Sequence, residues 1–256
     1  MSAPIALSPA EFTACWDALG LGLPPAQLPG VGPGNGCDRR ARRAALAALA
    51  ARGLSDRATP CPELAGPLRL LAHPRYRLDL RWGEDLRGLV VGLGAVASDR
   101  ATMVTSADGC LTVVVTDGAR AAGALLGLLG PVTAGVGRPV NVPADVLDAA
   151  TAAVRHRDLW ELADRLEALG VSRLDTRSLV AMCQGMLGRG QLGATVTAGD
   201  RAHRAPGVIG VHLADAGWFT QIRQAGTVTI CPTDPGRLLR RWRALIDTAA
   251  AVPPVG

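Results

Sequence analysis

The chain has 256 residues, 48% of them hydrophobic and only 19% charged, the composition of a packed domain and not of a disordered segment. All 27 basic residues are arginine, so a phosphate-loop lysine, a lysine Schiff base and a lysine general base are excluded. The net charge of +5 is modest, and its densest runs, Arg39-Arg40-x-Arg42-Arg43 and Arg240-Arg241-x-Arg243, read as solvated helix faces.

Ser8-Pro9-Ala10-Glu11 is a capping box with proline at the first helical position, and the helix it opens places Phe12, Trp16 and Leu19 on one face before Gly20. A Gly/Pro-rich connection to Gly36 leads to a second helix over about 38–52 and a third over about 62–72, stopped by Gly53 and Pro74. From Arg75 the period changes to two: Tyr76, Leu78, Leu80 and Trp82 alternate with Arg75, Arg77, Asp79 and Arg81, which predicts a half-buried strand. Strand-like runs follow at 88–97, 101–105 and 111–116, with Asp108-Gly109 as a hairpin turn, and the short links imply an antiparallel meander. Asp117 then caps a helix to about Leu129.

The second half opens with helices near 143–154, 157–169 and 176–187. Strands are expected at 192–197, 207–212, 218–223 and 227–231, and a last helix starts at Asp234-Pro235 with Leu238, Trp242, Leu245 and Ile246 inward. Leu111-Thr-Val-Val-Val-Thr-Asp-x-x-Arg120 aligns with Val228-Thr-Ile-Cys-Pro-Thr-Asp-x-x-Arg237, each a strand, a Thr-Asp cap and a helix. This reads as an internal repeat of two halves, about 1–135 and 136–256, in a single α/β (α+β) domain around one sheet.

Several motifs invite chemistry and fail on context. Gly92-Leu93-Gly94-Ala95-Val96-Ala97 matches a dinucleotide fingerprint, but a turn and a β-rich run follow where a helix must open, so the glycines are expected to relieve crowding in a strand. In Gly32-Pro-Gly-Asn-Gly36 the Lys-Ser/Thr of a phosphate loop is replaced by Cys37-Asp38. His73, His156, His203 and His212 show no metal-binding spacing, and no serine sits in a nucleophile elbow. The six cysteines (15, 37, 61, 110, 183, 231) form no C-x-x-C pair and read as reduced thiols, although a Cys–His pair assembled in space stays open. An arginine-rich nucleic-acid-binding regulator is the main rival, with Trp218-Phe219 and Arg223 its nearest approach to a stacking surface. The N-terminus lacks a signal-peptide pattern, and the run 119–130 is shorter than the roughly 20 apolar residues a membrane span needs, so the chain reads as cytoplasmic.

In order and spacing, Leu7-Ser-Pro-Ala-Glu-Phe12 with Trp16 and Leu19-Gly-Leu21, Pro24-Pro25-x-x-Leu28, the Arg39–Gly53 helix, and Leu64 to Leu71 leading into Arg75-Tyr-Arg-Leu-Asp-Leu80 resemble the EspG family of type VII (ESX) secretion chaperones. The resemblance implies a pseudo-two-fold fold, a central, mainly antiparallel sheet flanked by helical bundles. It implies a cytosolic chaperone without cofactor, metal or catalysis, which covers the apolar tip of the PPE-type subunit of a PE–PPE heterodimer; homodimerisation stays open. The chain is short for the family and basic where the family is often acidic, so an acidic partner surface or an unusual substrate pair is expected. The family's contact region directs attention to Met182, Gln184, Met186, Gln191, Phe219, Gln221 and Arg223. Strand alternation puts Phe219, Gln221 and Arg223 on one face, where an unpaired arginine facing a core would be costly; that face is expected to be open.

Overall fold

Ser8 caps the first helix as its sequence dictates: its hydroxyl accepts from the Glu11 amide at 3.1 Å, and the Glu11 carboxylate accepts from the Ser8 amide at 2.8 Å. The computed structural model describes residues 2–32, 39–56, 59–84, 88–154, 158–199 and 201–251. Most of the glycine-rich connector after Gly32, with Cys37, Asp38 and His156, lies outside them.

In the first half, β1 (Ile5–Leu7) precedes α1 (Pro9–Ala18), α2 (Arg39–Ala51), the short pair β2 (Ser55–Asp56) and β3 (Thr59–Pro60), and α3 (Pro62–Ala72). A meander follows through β4 (Tyr76–Glu84), β5 (Gly88–Ala97), β6 (Arg100–Ala107) and β7 (Cys110–Asp117). Asp108 and Gly109 join β6 to β7 with φ of 49° and 74°, the two positive values a two-residue hairpin of this hand needs. The Asp117 carboxylate accepts from the Ala119 amide at 2.8 Å and starts a 3₁₀ turn. The expected helix to Leu129 is thereby divided, with α4 (Ala121–Leu126) between two 3₁₀ turns.

The second half runs β8 (Val140–Pro143), α5 (Ala144–Ala153), α6 (Leu159–Ala168) and α7 (Arg173–Cys183). Then come β9 (Gly188–Ala198), β10 (Arg201–Arg204), β11 (Ile209–Ala214), β12 (Gly217–Gln224), β13 (Thr227–Pro232) and α8 (Pro235–Ala250). Asp234 caps α8 by accepting from the Arg237 amide at 2.8 Å, the counterpart of Asp117. One expectation fails here: α7 starts three residues earlier than anticipated and ends at Cys183, not Leu187. Gln184 is extended and Gly185 has φ of 62°, with Asp215 packed so close that a Cβ at 185 would collide with its carboxylate.

Eleven strands form one sheet in the order β1-β7-β6-β5-β4-β9-β11-β12-β13-β8, with β10 also paired to β9 and every strand pair antiparallel. Outward from the central β4–β9 pair, each side carries three more strands in sequence order and then a short edge strand from the start of its own half. The edge strands β1 and β8 and the short β10 were absent from the sequence expectation.

Alternation sorts the side chains into two faces. On one, Leu78, Leu80 and Trp82 of β4 and Leu192 and Ala194 of β9 meet Leu125, Leu126 and Leu129 from α4 and its flank and Leu238 and Trp242 from α8. Glycines make this approach possible: a Cβ at Gly92 would lie 2.7 Å from Leu128 Cδ1 and 2.8 Å from Leu125 Cδ2. The glycines of the apparent dinucleotide fingerprint therefore serve packing, inside a strand that continues through Ala97. On the opposite face, α1–α3 cover β5–β7 in a core built on Phe12, Trp16, Leu49, Leu68 and Leu93. There α5–α7 cover the other side, over Leu147, Leu166, Leu179, Phe219 and Ile230. No helix among the described residues is long and apolar enough to cross a membrane.

Candidate functional site

Between those two helical blocks the middle of the sheet is left uncovered. Cross-strand pairing lines up Arg81, Gln191, Gly210 and Gln221 in one row and Gly83, Arg189, His212 and Phe219 in the next. Directly paired residues share a face, so both rows look out on the side of α1–α3 and α5–α7. Above them lies a cleft of about 700 Å³, with Leu89 of β5, Thr151 of α5 and Met186 of the α7–β9 link at its walls. Arg81, Arg189, Gln191 and Gln221 are exposed on its floor. Gly210 keeps the floor low: a Cβ there would lie 3.2 Å from both the Cβ and the carbonyl oxygen of Gln221.

Apolar side chains join Thr151 and Glu84 around the polar floor. Leu89 is 41% exposed, and Leu187, which follows Met186, is 54% exposed although its backbone is fixed by an N–H donated to the Leu213 carbonyl at 2.9 Å. Toward α7 the side chains of the second row are locked. His212 stacks on Phe219 with ring centres 5.3 Å apart, and its Nε2 lies 3.0 Å from the Met182 carbonyl oxygen. A carbonyl only accepts, so the neutral ring carries its proton on Nε2. Burial pushes the His212 pKa down, against the opposing pull of that carbonyl.

Most arginines around the floor are held by partners within the chain. Arg77 donates from Nη2 to the Leu71 and Ala72 carbonyls at the end of α3, 3.2 Å each, where a cation also meets the negative end of the helix. Arg204 makes a two-pronged pair with the buried Asp79, at 2.6 and 2.9 Å. Arg223 reaches Asp148 of α5, with Nη1 to Oδ2 at 2.9 Å, and that hydrogen bond lowers the Asp148 pKa. Arg81 and Arg189 have no hydrogen-bond or ion-pair partner among the described residues.

The seven residues anticipated from the sequence therefore separate. Met186, Gln191 and Gln221 come together in the cleft. Met182 and Phe219 do not: they are 1% and 0% exposed and belong to the core under α5–α7, beside the cleft on the same face of the sheet. Gln184 is exposed at the end of α7, where its carbonyl accepts from the Asp215 amide at 3.2 Å. Arg223 stands outside the cleft, and the argument that its face must be open because no partner awaits it is overturned by Asp148. That face is open at Gln221 for a different reason, the gap between the two helical blocks. Arg81 and Arg189 were not anticipated as site residues. The alternation through Arg75–Trp82 already aimed Arg81 away from the core, whereas Arg189 fell outside a strand expected to begin only at Leu192.

The alternative chemistries gain no support from this geometry. Trp218 and Phe219 are buried, so that strand offers no stacking platform. Burial raises the thiol pKa of Cys183 and pushes that of Cys15 to about 12, with Glu11 adding to the latter, the reverse of what activates a nucleophile. Among the described residues no cluster of His, Cys, Asp or Glu could hold a metal. The positive charge is concentrated: α2 carries four arginines and no acid, and α8 carries four arginines against Asp247.

A family model, that of the EspG family, matches residues 8–243. The fold is similar to a solved structure, that of the Mycobacterium tuberculosis type VII secretion system chaperone EspG5 in complex with a PE25-PPE41 dimer. The TM-score is 0.75 at 14% sequence identity, over 96% of each chain. No curated protein matches the sequence.

Proposed function

Since the chain belongs to the EspG family, we propose that it acts as a type VII secretion chaperone, binding a PE–PPE-type heterodimer through the PPE-type subunit. It shields the apolar tip of that subunit's helical bundle, keeps the pair soluble in the cytoplasm and hands it to the secretion machinery. The observation that carries the reading is the uncovered sheet centre, with a cleft of about 700 Å³ walled by Leu89 and Met186 and floored by hydrogen-bonding side chains. An exposed apolar patch on a partner is an aggregation hazard, and covering it needs shape and burial but no covalent step. The work is therefore binding without catalysis, by one domain whose halves, about 1–135 and 136–256, each contribute a wall.

A preformed surface suits this role. The floor consists of paired strands whose far face is packed against α4 and α8, so little ordering has to accompany binding. Of the residues anticipated as contacts, Met186, Gln191 and Gln221 meet the partner. Gln184 and Arg223 stand at the margin, and Met182 and Phe219 act by holding the α5–α7 wall against the sheet beside the cleft. Met186 is an adaptable apolar contact for an irregular tip.

The test is co-expression with candidate PE–PPE-type pairs, followed by affinity capture on a tag and gel filtration. A stoichiometric complex with a pair that is insoluble when expressed alone is the expected outcome. If every candidate pair stays soluble alone and none co-purifies, the proposal fails.

A further inference from the structure

The cleft has a charge asymmetry that shape alone does not require. Of the five arginines on or beside the open sheet face, Arg77, Arg204 and Arg223 are satisfied by α3 carbonyls, Asp79 and Asp148. Arg81 and Arg189 are exposed in the cleft and have no partner among the described residues. They are diagonal neighbours on adjacent strands, since Arg81 pairs with Gln191 and Arg189 with Gly83. That places their Cβ atoms about 7–8 Å apart, within the span of one carboxylate approached from both sides. Among the described residues no acid forms an ion pair with either of them. Asp79 is committed to Arg204, and Glu84, at the rim, hydrogen-bonds the Trp82 indole N–H at 3.0 Å and forms no ion pair with either arginine.

Two guanidinium groups without an ion-pair partner among the described residues, in a partly apolar concavity, focus positive potential there. Gly83 and Gly210 lie beside them in the two rows, and the absent side chains leave room for a group to descend between the arginines. Gln191 and Gln221 flank that space with one acceptor and two amide N–H donors each, suited to the backbone of a helix end or turn.

We infer that the cleft is a carboxylate receptor: Arg81 and Arg189 select a partner whose inserted tip carries an Asp or Glu side chain. This inference rests on the chaperone reading and adds a rule of partner choice to it. The apolar rim covers the tip, while the two arginines reject a neutral or basic one, because two guanidinium groups would then be desolvated without a counter-charge.

The experiment compares the wild-type chain with Arg81→Gln, Arg189→Gln and the double variant, titrated calorimetrically against the PE–PPE-type pair that co-purifies with the wild type. Arg240→Gln, on α8 at the opposite face, is the control. Both cleft arginines are exposed, so thermal melts of the variants should overlay the wild type. Either single change should weaken binding at least about tenfold, with the control unaffected. Raising salt from about 0.1 M to about 1 M should weaken the wild type more than the double variant. Replacing the partner's inserted acid by its amide should weaken binding similarly and make the arginine changes nearly silent. Undiminished affinity in the double variant overturns the inference and leaves the chaperone reading standing. A wild-type chain that binds no pair overturns both. Binding of random-sequence duplex DNA that the arginine changes abolish, with the protein pair unaffected, overturns it in favour of a phosphate ligand.

Discussion

Trp242→Phe probes how the far face of the sheet supports the floor. Trp242 is 0% exposed on α8 and donates its indole N–H to the Gly193 carbonyl at 2.9 Å. The same glycine pairs with Asp79 in the β4–β9 ladder, so the indole is a second donor that ties α8 to β9. Phenylalanine fills most of the space but has no N–H. Losing that one hydrogen bond costs about 0.5–1.5 kcal/mol. The missing ring atoms leave a cavity of roughly 40 Å³, which adds about 1 kcal/mol. The sum, about 1.5–2.5 kcal/mol, lowers the midpoint of thermal unfolding by about 3–10 °C for a chain of this size. Urea and thermal melts followed by far-UV circular dichroism measure both quantities. Trp160→Phe is the internal control, since Trp160 is 84% exposed and its replacement should stay within about 0.5 kcal/mol of wild type. If Trp242→Phe is as stable as Trp160→Phe, the indole does not support β9 and the reasoning is wrong.

Other predictions concern titration, thiol reactivity and packing. His212 has a depressed pKa in the folded chain, so below the ordinary histidine range the unfolded state takes up a proton that the folded state refuses. Stability should fall as pH drops from about 7 to 5 through the unfolded value near 6.5, and His212→Gln should flatten that slope in urea midpoints measured across the range. Alkylation of the native chain at about pH 8, read by peptide mass spectrometry, should modify the exposed Cys110 well before Cys15, whose pKa is about 12; faster labelling of Cys15 would contradict its burial. Gly92→Val should destabilise by about 1–3 kcal/mol in the same melts, because its side chain must displace Leu125 and Leu128; an unchanged midpoint would place α4 elsewhere.

Elements with a local signature were readable in advance, and those defined by distant partners were not. The capping box at Ser8, the Asp108-Gly109 hairpin, the alternation through β4 and the Asp234 cap each lie within a few residues, and each formed where expected. By contrast β1 and β8 are three and four residues long and become strands only by pairing with Leu111–Val113 and Thr227–Ile230. Nothing in Ile5–Leu7 or Val140–Pro143 alone carries that information. The early stop of α7 follows from Asp215, which meets Gly185 from the β11–β12 turn. The site divides along the same line. Gln221 was recoverable as a polar residue on an apolar strand, whereas Gln191 stood one residue before the expected strand and was singled out only by the family's contact region. Met182 and Phe219 could not be told from surface contacts until α7 was seen against β12. Arg81 and Arg189 acquire meaning only when β4 and β9, from different halves, lie side by side.

The central claim is that the uncovered face between the two helical blocks receives the partner. Hydrogen–deuterium exchange, comparing the free chain with its complex with the co-purified pair, tests it most directly. The account predicts slowed exchange in peptides covering 184–191 and 209–221, with α4 and α8 unchanged. Slowing confined to α4 and α8, with 184–191 and 209–221 exchanging as in the free chain, would contradict it.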